Sequence, residues 1–120
     1  MGTIPDFTDT EQWSIQTAVD ERWGKSITEL HLADVELFLQ PGDKSLASCP
    51  AVFWSVKACN FVVIKVDEGR YRSQFFYQDD LEQQLGTGVD EFDNIAECVV
   101  TLLQSQADYD SVRSGAFPDS

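Results

Sequence analysis

Basic residues are scarce in this chain: Lys and Arg together number 8 against 21 Asp and Glu, with a single His. The resulting formal charge of −13 works against a phosphate-binding surface, because every contact to a nucleic-acid backbone would first have to overcome repulsion. The strand-like stretch GRYRSQFFYQDD, with its arginines and aromatics, does not reverse that conclusion. It lacks the βαββαβ setting and glycine pattern of an RNA-recognition fold, so direct nucleic-acid binding is not expected.

Long apolar runs are also missing. Stretches such as FVVI and CVVTLL are far too short to span a bilayer, and no membrane association is expected. The N-terminal MGTIPDFTDT has neither the basic nor the apolar region of a secretory leader, and Asp6 stands where myristoylation of Gly2 would want Ser or Thr; a cytoplasmic location is the expectation. The cysteines Cys49, Cys59 and Cys98 are odd in number and widely spaced, which suits reduced, partly buried thiols and not a disulfide framework.

Motifs that carry chemistry are absent in turn. None of the cysteines forms a C-x-x-C pair and His31 has no companion histidine, so zinc has no ligand spacing in its favour. LGTGVD has two glycines but neither the length nor the lysine of a phosphate-binding loop. DEFDNIAE offers Asp90, Asp93, Asn94 and Glu97, which a helix would splay apart instead of wrapping round a calcium ion. A cysteine with His31 and Asp34 lacks any local signature of nucleophilic catalysis. No catalytic residue, metal or cofactor is therefore expected.

What is present supports one globular domain. A chain of 120 residues with 42% hydrophobic content has material for one core, expected over residues 1–120 with an ordered part of about 8 to 108 and frayed termini. Thr8 and Glu11 have the spacing of a capping box. Behind them Ile15, Val19 and Trp23 form a buried stripe while Glu11, Gln12, Gln16 and Asp20 face water, and Gly24 ends the helix. Between Glu29 and Gln40 the apolar alternation slips phase at Ala33-Asp34. This predicts a strand with a bulge, with a short helix over DVELFLQ as the competing reading. PGD is a turn, and KSLASCP continues as a loop up to Pro50.

AVFWSVK, NFVVIKV and RYRSQFFYQ are rich in β-branched and aromatic residues, and they predict an antiparallel meander with turns at AC or ACN, from Ala58 to Cys59 or Asn60, and at DEG. Val52, Trp54 and Val56 share a face, as do Val62, Ile64 and Val66 opposite Phe61, Val63 and Lys65; Tyr71, Ser73, Phe75 and Tyr77 oppose Arg72, Gln74 and Phe76. Which faces align is left to the turns. A second helix capped by Asp90 or Asp93 should bury Phe92, Ile95, Ala96, Val99, Leu102, Leu103 and Gln106. The fold expected is α+β: a four-stranded antiparallel sheet, one strand plus a three-strand meander, with an N-terminal and a C-terminal helix on one face and the other face partly open.

The remaining signal is charge segregation. No Lys or Arg stands between Arg72 and Arg113, whereas Asp79, Asp80, Glu82, Asp90, Glu91, Asp93, Glu97, Asp108 and Asp110 are all acidic. A solvated face is the commonest fate of such a run. The functional expectation is a non-enzymatic inhibitor, immunity-type protein or chaperone-like adaptor that engages a basic protein partner through residues 79–97, with Tyr77 and Arg72 as candidate contacts beside the acids. A small-ligand or metal-binding domain with a pocket between sheet and helices is the second reading. A structural subunit, or a homodimer formed through an exposed sheet face, is the third.

Overall fold

The computed structural model describes residues 4–24, 28–37, 42, 44–56, 58–78, 85–86 and 91–113. Its elements run α1 (Asp9–Trp23), β1 (His31–Leu37), β2 (Ala47–Val56), β3 (Cys59–Asp67), β4 (Arg70–Tyr77), β5 (Leu85–Gly86) and α2 (Ile95–Arg113). The strands form one antiparallel sheet in the order β1-β2-β3-β4-β5. This is the expected α+β arrangement, extended by the two-residue β5.

Register decides which faces meet. Val52 pairs with Val63 and Trp54 with Phe61; Phe61 then pairs with Phe75, Val63 with Ser73 and Cys59 with Tyr77. All these side chains stand on the face that the helices cover, because side chains directly opposite in an antiparallel pair lie on one side of the sheet. Ile15 and Val19 of α1 and Cys98, Val99 and Leu102 of α2 close over them with no exposed surface. Aromatic rings tie the layer together: Trp54 stacks on Phe61 at 5.4 Å and 10°, and Trp23 of α1 meets the same Phe61 ring at 5.4 Å. Each such ring contributes about 1.5–3 kcal/mol by leaving water. On the opposite face Cys49, Ala51, Val62, Ile64 and Val66 form a smaller buried cluster, with Ile4, Val35, Ala47 and Phe53 packed against it.

The termini of α1 follow the sequence closely. Glu11 N–H donates to Thr8 Oγ1 at 3.1 Å while Thr8 N–H donates to Glu11 Oε1 at 2.7 Å, the reciprocal capping box. Gly24 ends the helix at φ 105°, a conformation that costs glycine little because it has no Cβ.

Several expectations are corrected. β1 pairs with β2 in unbroken register from His31↔Phe53 to Leu37↔Ala47, so it contains neither a bulge at Ala33-Asp34 nor the alternative helix. The hydrophobic phase slip is absorbed instead by exposure of Leu32, which is 60% accessible. The register irregularity of the sheet falls in β3, between Lys65 and Asp67. β2 begins at Ala47, not after Pro50, and Pro50 pairs with Asp34 of β1. The regular β2–β3 register starts only at Ala51, so Pro50 sits where one side of the strand has no ladder partner and its missing N–H costs little.

The β2–β3 turn includes Ala58, at φ 65°, but not Cys59, which already belongs to β3. Asn94, not Asp90 or Asp93, caps α2: its Oδ1 accepts from Glu97 N–H at 3.0 Å, and Asp90 itself lies outside the described residues. Phe92 is buried but precedes the helix, in an antiparallel bridge with Tyr71. Ala96 is exposed, and α2 runs to Arg113. Among the described residues no helix is long and apolar enough to cross a membrane.

Candidate functional site

The Tyr71–Phe92 bridge organises the region singled out by charge. Tyr71 N–H donates to Phe92 O at 2.9 Å and Phe92 N–H donates to Tyr71 O at 2.8 Å. A two-way bridge at these residues sets their neighbours side by side, so Glu91 lies against both arginines of β4. Arg70 Nη1 donates to Glu91 Oε1 at 3.2 Å and Arg72 Nη2 to Glu91 Oε2 at 3.1 Å. The clasp is solvent-facing, with the Arg70 side chain 64% exposed and that of Glu91 31%. Pairs of this kind are screened and stabilise by about 0.2–1 kcal/mol each.

The candidate residues thus divide. Glu91 and Arg72 come together and satisfy each other, while Asp93 and Glu97 are exposed at the start of α2, next to the Asn94 cap. Tyr77 is buried. Its hydroxyl accepts from Gln106 Nε2 at 3.3 Å and donates to Asp110 Oδ1 at 3.4 Å, and its ring stacks on Tyr109 at 5.7 Å. Asp79, Asp80, Glu82 and Asp90 lie outside the described residues. Asp108 and Asp110 are exposed along the same helix, so the described acids extend down α2 from Asp93.

A second charged centre sits in the core. Glu11, expected to face water, is 8% exposed and Lys65 is 2% exposed. Lys65 Nζ donates to Glu11 Oε1 at 2.8 Å and to the Asp6 carbonyl at 3.0 Å, and the Tyr71 hydroxyl donates to Glu11 Oε2. Phe7 completes the enclosure, its ring stacked 6.4 Å from Tyr71 and 6.0 Å from the Lys65 ammonium. Burial alone would raise the Glu11 pKa, but the hydrogen bonds from Lys65, Tyr71 and the Thr8 backbone outweigh it and hold the carboxyl below its ordinary value. The Tyr71 hydroxyl moves the other way, pushed far up by burial and by the adjacent carboxylate.

The signal for this centre was Lys65 itself. A lysine inside a run of apolar residues on a central strand must find a buried partner, and the capping-box glutamate was the residue best fixed in space to supply one.

The thiols offer little chemistry. Cys49, Cys59 and Cys98 are buried and unbridged. Burial lifts Cys98 to about 11 and raises Cys49 as well, which leaves almost no thiolate at neutral pH. Exposed His31 lies opposite Phe53, whereas Cys49 pairs with Val35 at the other end of β1. Among the described residues no three His, Cys, Asp or Glu side chains converge as metal ligands would.

Fold and charge together define the class as an acidic α+β domain, with helices on one sheet face and exposed carboxylates along its second helix. Comparison with models of protein families, with curated proteins and with solved structures finds no match to this chain.

Proposed function

We propose that this protein is a non-enzymatic binding or regulatory protein, of the inhibitor, immunity-type or chaperone-like adaptor kind, that engages a basic protein partner through residues 79–97. The observation that carries the reading is the disposition of charge around β4. Arg70 and Arg72 are turned onto Glu91, and positions 73–112 contain no Lys or Arg. Exposed Asp93 and Glu97 therefore project from a segment with no cation of its own, a setting that speeds encounter with a positive surface and selects against negative ones.

The layer between sheet and helices is filled by side chains such as Trp54, Phe61 and Leu102, so the small-ligand reading draws no support from it. The test is capture from lysate of the source cells at low salt, eluted with a salt gradient, with the Asp93→Asn/Glu97→Gln variant run in parallel. Stoichiometric capture of a basic protein, released as salt rises and lost in the variant, is the expected outcome. Capture indifferent to both salt and the variant would remove the acidic face from the account.

A further inference from the structure

β1 ends the sheet, with β2 as its only strand neighbour among the described residues. Every second backbone N–H and C=O of an end strand points away from the sheet. End strands are commonly blunted by a lysine, a proline, a bulge or shortness. β5, at the other end, is two residues long, whereas β1 is seven residues, HLADVEL, with unbroken register and neither lysine nor proline; the charges it carries, Asp34 and Glu36, are both acidic.

The surroundings of β1 carry a definite chemistry. Leu32 pairs with Val52, Asp34 with Pro50 and Glu36 with Ser48, so these three share the helix side of the sheet, and all are exposed. Neither helix buries these three side chains. What remains is a groove of about 340 Å³ between β1 and the start of α1 with the segment before it, lined by Asp6, Phe7, Gln12, Leu32, Asp34 and Pro50 among others, with no Lys or Arg among the described residues that line it. It is an apolar floor with a carboxylate on either bank.

We propose that the outer edge of β1 is a docking site for an extended basic segment of a partner protein, which adds to the sheet as a further strand. Its alternate side chains on the helix side would be cations facing Asp34 and Glu36, with an apolar side chain against Leu32. A second copy of this chain fits poorly. In a symmetric antiparallel pair, registers centred on Asp34 or Val35 set Asp34 opposite Asp34 or Glu36, and one centred on Ala33 sets Leu32 opposite Asp34; like charges directly opposite destabilise. The inference rests on the reading of a basic partner but uses a surface separate from α2.

The test is an NMR titration of the isotopically labelled chain with a blocked peptide as long as β1, in which lysine and valine alternate except that valine replaces the lysine that would face Leu32. Amide shifts confined to residues 31–37 and to Phe7 and Gln12 are expected. The Asp34→Asn/Glu36→Gln variant should bind about three- to tenfold more weakly, as for the loss of two exposed charge pairs, and Asp93→Asn/Glu97→Gln should bind unchanged. Peptides N-methylated on alternate residues, made in both phases, should include one phase that does not bind, since a docking strand uses the N–H groups of one edge. No binding, equal binding by a glutamate–valine peptide, or equal binding by both methylated phases would overturn the proposal. So would shifts that map to α2 and vanish in Asp93→Asn/Glu97→Gln, or a dimer of the chain that protects the β1 amides. The acidic helix face can fail its own capture test without changing any of these readouts.

Discussion

Glu11 and Glu91 are both carboxylates held by cations of neighbouring strands, yet one is enclosed by Phe7, Lys65 and Tyr71 and the other is partly open to solvent between two arginines. At Glu91, water solvates whatever the arginines do not, so the clasp can open at little cost. At Glu11, water is excluded, and removing one partner strands the other as an uncompensated buried charge. The same pairing chemistry therefore holds the N-terminal helix to the sheet in one place and merely trims surface charge in the other.

The largest effect that would break this contrast is expected from Glu11→Gln. Glutamine keeps the capping-box geometry while removing the charge opposite Lys65, so the loss of about 3–5 kcal/mol expected for a broken buried pair is separated from loss of the cap. Denaturant titration of the two proteins at neutral pH measures it. The variant also tests the pH dependence. The folded pKa of Glu11 lies below its ordinary 4.5, so its contribution is fully present above that value and is lost as pH falls through the lower folded value. Acid unfolding of Glu11→Gln should show a shallower slope across that window, and an unchanged slope would mean that the carboxylate is not the linked group.

Tyr71→Phe comes next, at about 1–3 kcal/mol, because it withdraws a donor from a buried carboxylate without creating a cavity. The Tyr71 pKa is raised in the folded state, so its share of stability holds below the ordinary tyrosine value of 10 and fades as pH climbs above it; the phenylalanine variant should lose that alkaline limb. Glu91→Gln should move the denaturation midpoint least, by less than about 1 kcal/mol, with an effect that shrinks as salt is added. A Glu91 variant as damaging as Glu11→Gln would erase the distinction between the two sites.

Sequence reasoning succeeded where local chemistry dominates. Thr8 and Glu11 announce a helix start through two reciprocal hydrogen bonds four residues wide, and the β-branched and aromatic runs from Val52 to Tyr77 announce strands. It failed where tertiary partners decide. Glu11 reads as water-facing because its position on the helix says nothing of Lys65. The slip at Ala33-Asp34 resembled a bulge because only the assembled sheet shows that the helix side of β1 is uncovered and tolerates Leu32 in solvent. Phe92 fits helical spacing from Ile95 onward, and only its bridge to Tyr71 reveals that the chain is still extended there. Of the candidate site, the run of acids was visible at once, but the capture of Glu91 by Arg70 and Arg72 and the burial of Tyr77 required the pairing of distant segments.

Glu11 also has a kinetic meaning. The residue that closes the first turn of α1 finds its other partners 54 and 60 positions later, at Lys65 and Tyr71. Contacts across such separations form late, after the intervening strands have met. The helix that opens this fold is then the last to be secured, and its seal belongs to the native side of the folding barrier. Removing it should leave the refolding rate nearly untouched and quicken unfolding, so that Glu11 sets how long a folded molecule lasts, and not how soon it forms; a refolding rate that falls in step with stability would show the reverse.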